Sequence, residues 1–258
     1  MTPLRDHLEG LVRDGRKLLV PYLMAGIPDW ESFAGALAAV SAAADAVELG
    51  LPFSDPLMDG PVIAEAAERA LRAGVGPLDA LEAAGPAGDG PPRVAMTYYN
   101  PIHRTGEEEF CDRAAAAGIS GLIVPDLPVE ESASLRAAAA GAGLAWIPLV
   151  APTSPPRRVA AITETATGFV YAVSTLGVTG TREQLSERAA RVVAACRAAT
   201  DAPVLVGIGV STPAHAVEAA ASADGVVIGT AVVRLVLEEG AGPAAAFLAE
   251  VRAALDGE

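Results

Sequence analysis

Residues 46–63 read A-V-E-L-G-L-P-F-S-D-P-L-M-D-G-P-V-I, which is one complete strand–loop–helix unit. Ala46–Leu49 is a short apolar run, interrupted only by Glu48 and too short for a helix. A loop rich in proline and aspartate follows, carrying Asp55 and Asp59. Gly60-Pro61 then opens a helix, because proline's missing N–H costs nothing in the first turn. A carboxylate at the end of a buried strand is costly unless it has a partner or a task. Asp59, in a loop too long for a simple turn, suggests a task.

The same unit recurs on both sides. β-like runs are expected at Leu18–Met24, Ala46–Leu49, Arg93–Tyr99, Gly121–Asp126, Ala145–Val150, Gly168–Val173, Pro203–Gly207 and Gly225–Gly229. Most are continuously apolar, as parallel strands covered on both faces should be. Alanine-rich helical patterns fill the gaps, at Glu31–Ala44, Pro61–Ala73, Glu107–Ala117, Glu130–Ala140, Pro155–Thr163, Arg182–Ala199 and Thr212–Ala221. An amphipathic helix over Pro3–Asp14 precedes them, and a short extra helix falls near Pro77–Ala84. Eight alternations predict an α/β fold, a closed (β/α)8 TIM barrel with an extra N-terminal helix, as a single domain over 1–258. A doubly wound open sheet is the alternative, but no G-x-G-x-x-G follows the first strand. The G-P-A-G-D-G-P-P stretch at Gly85–Pro92 reads as a surface loop within that domain.

Bulk composition agrees and excludes several classes of function. With 258 residues, 52% of them hydrophobic, the chain can bury a full core without staples. A formal net charge of −14 without a basic cluster argues against a nucleic-acid partner. Cys111 and Cys196 lie in helical stretches and read as packed free thiols. The first ten residues lack the apolar core of a signal peptide, and the longest apolar run, Leu18–Ile27, is too short for a membrane span. A cytoplasmic protein with no membrane partner is the expectation.

In such barrels chemistry gathers where the C-terminal ends of the strands meet the βα loops. That rule collects Glu48, Tyr98-Tyr99-Asn100, Asp126, Tyr171, Gly207-Ile208-Gly209 and Gly229-Thr230 around one mouth. Glycines and a hydroxyl after the last two strands suit a phosphorylated small-molecule ligand, since backbone N–H groups can hold the anion without lysine. Elimination narrows the reaction. The single lysine, Lys17, precedes the first strand, at the wrong end for a Schiff base. His7, His103 and His215 show no ligand spacing, so no metal is expected. No nucleophile elbow is present, and neither cysteine ends a strand. Acid–base catalysis by carboxylates remains, with the substrate supplying its own electron sink. Glu48, flanked by Val47 and Leu49, should be desolvated and its proton affinity raised toward neutrality. The structural alternatives are a strand-end salt bridge for Glu48 and turn-capping carboxylates for Asp55 and Asp59. Asp126 serves either the mouth or the bracing of its own loop, and Tyr171 is either a pocket hydroxyl or a core residue.

The stretch E-L-G-L-P-F-S-D-P-L-M-D-G-P-V-I resembles the signature of the tryptophan synthase alpha chain family. The resemblance continues through Y-Y-N-P-I, G-L-I-V-P-D-L-P, L-V-A-P-T-S-P, G-V-T-G, G-I-G-V-S-T-P and V-I-G-T-A, covering essentially the whole chain in order. It implies retro-aldol cleavage of indole-3-glycerol phosphate to indole and glyceraldehyde 3-phosphate. It implies Glu48 and Asp59 as the catalytic carboxylates, Tyr171 as a pocket tyrosine beside them, and Thr179 as a closing-loop residue orienting Asp59. Gly180, Gly209, Gly229 and Thr230 match the phosphate cradle, with Gly207 in the same loop, while Tyr22, Met96 and Ile208 match the wall of the indole pocket. No cofactor is implied in this chain. The partner implied is a beta chain carrying pyridoxal phosphate, in an α2β2 assembly. Leu57 and Met58 either touch that partner or tuck under their own loop.

Departures from the family pattern are Tyr22 and Ile208 where phenylalanine is common, Ala64 where glutamine is common, Thr230 for serine and Thr175 for arginine. None touches the two carboxylates. A stand-alone lyase and a non-catalytic regulatory subunit are the alternative functions.

Overall fold

The structure, a computed structural model, describes residues 2–85, 90–173, 182–207 and 209–257. Strands β1 (Leu18–Met24), β2 (Val47–Gly50), β3 (Arg93–Met96), β4 (Ile119–Ile123), β5 (Ala145–Trp146), β6 (Leu149–Val150), β7 (Val170–Val173), β8 (Val204–Gly207) and β9 (Gly225–Ile228) form one parallel sheet. Their order is β5-β4-β3-β2-β1-β9-β8-β7-β6. The two ends of that order are halves of a single run, Ala145–Val150. Its first half pairs with β4 and its second half with β7. The sheet is therefore closed, as an eight-membered α/β barrel. Pro148, which has no N–H to give, lies at the break and lends its carbonyl to Tyr171 N at 3.0 Å.

Helices α1 (Pro3–Arg13), α2 (Phe33–Ser41), α3 (Pro61–Arg72), α4 (Pro77–Ala83), α5 (Tyr99–Thr105), α6 (Glu107–Ala116), α7 (Ala133–Gly141), α8 (Pro156–Thr163), α9 (Arg182–Arg197), α10 (Pro213–Ala220), α11 (Thr230–Glu238) and α12 (Ala241–Asp256) accompany the strands. Three of them depart from the sequence expectation. The third strand stops at Met96, and Tyr99-Asn100 turn into α5 instead of prolonging it. After β9 the chain continues into α11 and α12, two helices that the sequence reading did not delimit. Asp126 likewise falls beyond β4, which ends at Ile123.

Strand period separates two apolar layers. Residues at one parity, among them Leu18, Val20, Ala46, Val94, Ile123, Ile147, Phe169, Leu205 and Val227, fill the barrel interior. Residues at the other parity, such as Leu19, Leu23, Val47, Leu49 and Ala95, face the helices. Helix α1 plugs the bottom of the interior with Leu4 and Leu8, both buried. Burying two leucines contributes about 3–6 kcal/mol, whereas the Arg5–Glu9 pair on the same helix gives a few tenths, so packing docks α1. Gly121 and Gly168 make room for the plug. A Cβ on Gly121 would lie 2.7 Å from Ile147 and 3.1 Å from Leu4.

Candidate active site

The same parity delivers the functional side chains to the mouth. Glu48 follows Ala46 on the inward face of β2, so its carboxylate points into the barrel while Val47 and Leu49 pack outward. It is 1% exposed, and its Oε2 is buried with no hydrogen-bonding partner among the described residues. Burial raises its pKa, and the nearby Asp59 charge adds to the effect, so that it is pushed up to about 8. A salt bridge for Glu48 is thereby excluded among the described residues. With a pKa of about 8, the carboxyl is mostly protonated at pH 7.

Tyr22 pairs with Glu48 across the β1–β2 ladder and points the same way, following Leu18 and Val20 at intervals of two. Its ring lies across Gly50, where any Cβ would come 1.9 Å from the Tyr22 hydroxyl oxygen. Gly50 is therefore the space that a ring in this place requires. Across the barrel, Tyr171 on β7 stands in the same relation to Gly207, whose Cβ would come 2.6 Å from its hydroxyl. Glu48 lies within electrostatic reach of both phenols, and burial raises the pKa of each well above the ordinary tyrosine value. Met96, half-buried on β3, completes the inner wall.

Asp59 reaches this cluster from the loop between β2 and α3. Tyr98, just past β3 and at the parity of Val94 and Met96, holds the loop in place. Its hydroxyl accepts from Met58 N at 3.0 Å, and its ring stacks on Phe53 at 5.2 Å between centroids. Burial raises the Asp59 pKa, and a hydrogen bond from Tyr98 opposes that rise. The Tyr98 phenol is itself pushed up to about 12 by burial and its acidic neighbours, so it stays a donor at any working pH. The strand-end rule places Tyr98 at the mouth without a role. The signal that could have assigned one is its spacing of two from Met96. Tyr98→Phe should raise the pKa of Asp59 further, because the ionised form loses a charge-assisted hydrogen bond. A carboxylate titration followed by infrared difference spectroscopy reads this; an unmoved Asp59 midpoint would count against the contact.

The neighbours of Tyr98 do other work. Tyr99 turns away and donates to Glu107 at 2.9 Å. Asp126 accepts from Tyr99 N at 2.9 and 3.2 Å, so it braces the start of α5. Asp55 is exposed and hydrogen-bonds Ser54, which fits a turn residue.

Of the phosphate candidates, Gly229 caps α11 with Thr230 as its first residue, and Gly209 is exposed at φ 68°. A Cβ on Gly229 would meet Ile63 and Tyr22 at 3.6 Å, which puts this helix start directly above the pocket wall. Thr179, Gly180, Ile208 and the departing Thr175 lie outside the described residues. Among the described residues, no group of three or more His, Cys, Asp and Glu side chains is placed to hold a metal ion, and no helix is long and apolar enough to cross a membrane.

Comparison with known proteins bears on the same arrangement. Residues 8–254 match the family model described as tryptophan synthase alpha chain. A tryptophan synthase alpha chain of Streptomyces avermitilis is 48% identical over 97% of this chain and 91% of its own. One from Microcystis aeruginosa is 46% identical over 91% and 90%. A solved structure of Mycobacterium tuberculosis tryptophan synthase superposes with a TM-score of 0.90 at 42% identity, covering 98% of both chains. On its fold, its length and its sequence, this chain belongs to the tryptophan synthase alpha chain family.

Proposed function

We propose that Glu48 and Asp59 carry out, by general acid–base catalysis, the carbon–carbon lyase reaction of this family. That reaction cleaves indole-3-glycerol phosphate to indole and D-glyceraldehyde 3-phosphate on the route to L-tryptophan. The observation that carries the assignment is a buried Glu48 with a pKa of about 8 and an unpartnered Oε2. Such a carboxyl is protonated at neutral pH and free to hand its proton to a substrate.

The proton transfers balance. Glu48 gives its proton to C3 of the indole ring, which makes the ring nitrogen cationic and the ring an electron sink. The bond from C3 to the glycerol carbon then breaks, its electron pair returning to the ring. The hydroxyl on that glycerol carbon becomes an aldehyde and loses its proton, which Glu48 recovers. Asp59, ionised, accepts a hydrogen bond from the indole N–H and stabilises the cation at the moment it forms. Tyr171, facing Glu48 from across the barrel, orients that carboxyl. Tyr22, Met96 and Ile208 line the aromatic pocket. Gly180, Gly207, Gly209, Gly229 and Thr230 hold the phosphate with backbone N–H groups and the start of α11, and Thr179 closes over the ligand. No step calls on a metal or a cofactor of this chain.

As an alpha chain, the protein works with a beta-chain partner. The finer reading is an α2β2 assembly in the cytoplasm, with this chain as one barrel domain over 1–258 and pyridoxal phosphate on the beta chain. Leu57 is 79% exposed and Met58 44%, although both are apolar. Neither tucks under the loop, which supports their use as partner contacts beside the Asp59 that they flank. Indole release by the purified chain, alone and then with a tryptophan synthase beta chain, tests the reading. Slow release alone that rises on adding the beta chain is expected. Full activity alone would favour a stand-alone lyase, and no indole in either case would leave only a regulatory subunit.

A further inference from the structure

Away from Glu48, a cleft of about 540 Å³ opens between the loop after β6 and helices α8 and α9. Its floor is apolar, with Val150, Val159 and Val192 buried on the helix side of the sheet. Leu149, one residue before Val150, packs toward the barrel interior instead. The barrel wall therefore separates this cleft from the pocket around Glu48. Arg188 and Arg191 form one rim, three residues apart and so on one face of α9. Both are exposed, and among the described residues neither guanidinium has an ion pair or a hydrogen bond. Glu187 stands four residues before Arg191, the spacing at which Glu65, Glu68 and Glu109 pair with Arg69, Arg72 and Arg113. Arg191 forgoes that pair and lines the cleft. Thr153 and Ser154 form the facing rim, in a turn closed by Ser154 N donating to Ala151 O at 3.0 Å. No carboxylate is among the described residues that line the cleft, in a chain of net charge −14.

Two forked cations and two hydroxyls over an apolar floor are complementary to an oxyanion carried on an apolar body. Guanidinium forks bind phosphate and carboxylate oxygens in pairs. The volume falls in the range of small-molecule sites, about 300–1,000 Å³. We propose that this cleft is a second ligand site, which takes a small phosphate monoester with an apolar body. Phosphate is favoured over carboxylate because its double charge matches the two arginines. A ligand held there bridges α9 to the loop after β6. The inference is independent of the roles given above to Glu48 and Asp59.

Phenyl phosphate is the probe, with inorganic phosphate and benzoate as comparisons. In the nitrogen-15-labelled full chain at about 0.15 M salt, the arginine Nε–H resonances missing from Arg188→Gln and from Arg191→Gln identify the two side chains. Both resonances should shift saturably with a single Kd, and phenyl phosphate should bind several-fold tighter than either comparison. Each substitution should weaken binding about tenfold, in a chain that stays folded because both side chains are exposed. The probe also suits the phosphate cradle at the start of α11, so the titration is repeated in Thr230→Asp, whose added carboxylate repels it there. Shifts that persist in Thr230→Asp support the second site; shifts that vanish are transmitted from the cradle and overturn it. Equal, unsaturable shifts with all three anions would reduce the effect to screening of exposed charge, and tighter binding of benzoate would refute the assignment to phosphate. Arg188→Gln/Arg191→Gln that binds the probe like wild type but loses the beta chain would make this face a protein contact and end the proposal.

Discussion

Glu48→Gln is expected to reduce kcat for indole release by about a thousandfold, which is what one well-placed proton-transfer group supplies. Affinity for an unreactive indole-propyl phosphate should change only a few-fold, since the pocket wall and the phosphate cradle are untouched. The same substitution should stabilise the fold, with a characteristic pH dependence. Glu48 has a pKa of about 8 in the folded chain against an ordinary 4.5. A carboxyl raised in this way gives its full contribution below the unfolded value, and that contribution is lost as pH rises through the folded one. Wild-type stability on this account declines between about pH 4.5 and pH 8, whereas glutamine carries no such penalty. The melting temperature of Glu48→Gln should exceed that of wild type by a margin that widens from pH 5 to pH 9. Residual turnover above a tenth of wild type would remove Glu48 from its role, and a margin independent of pH would refute its raised proton affinity.

Loss of function joined to a gain in stability is the mark of a carboxyl held against its own solvation preference. It also explains why Glu48 was conspicuous in the sequence. An acid inside an apolar strand run breaks the local pattern, and such a break needs a cause. Asp59 could be found by its distance from Glu48 in a loop of unusual length, and the barrel by counting eight repeats. What escaped were features that no local pattern encodes. The boundary at Tyr98 depends on whether β3 finds a neighbour past Met96, and aromatic residues suit a strand and a helix start about equally. The ring of Tyr22 finds its place only because Gly50, on another strand, leaves the space for it. Helices α11 and α12 carry apolar residues at helical spacing, but an expectation of eight units stops at the eighth strand.

Asp45 belongs with the features that escaped, and its replacement by alanine should cost more stability than that of an ordinary surface carboxylate. It stands two residues before β2, at the end of the barrel opposite the mouth, and is 4% exposed. Its Oδ1 accepts from Arg16 Nε at 2.6 Å, and its Oδ2 accepts from Leu19 N at 2.8 Å and from Arg252 Nη1 at 3.1 Å. Arg252 comes from α12, is itself 8% exposed, and also donates to Lys17 O at 2.8 Å and to Asp256. The group thus ties the last helix to the base of β1. No spacing in the sequence could link two residues 207 positions apart. Because both charges are buried, Asp45→Ala leaves Arg252 with reduced compensation and the Leu19 amide with none. Breaking a buried pair from one side costs about 3–5 kcal/mol, which in a chain of this size lowers Tm on the order of 10 °C. Asp45→Ala/Arg252→Met should recover part of that loss, since the second change removes the stranded charge. Neither variant should alter kcat at a temperature where it is folded, because the knot is separated from Glu48 by the packed interior of the barrel. A Tm within about 2 °C of wild type for Asp45→Ala would show that the pair merely offsets its own desolvation.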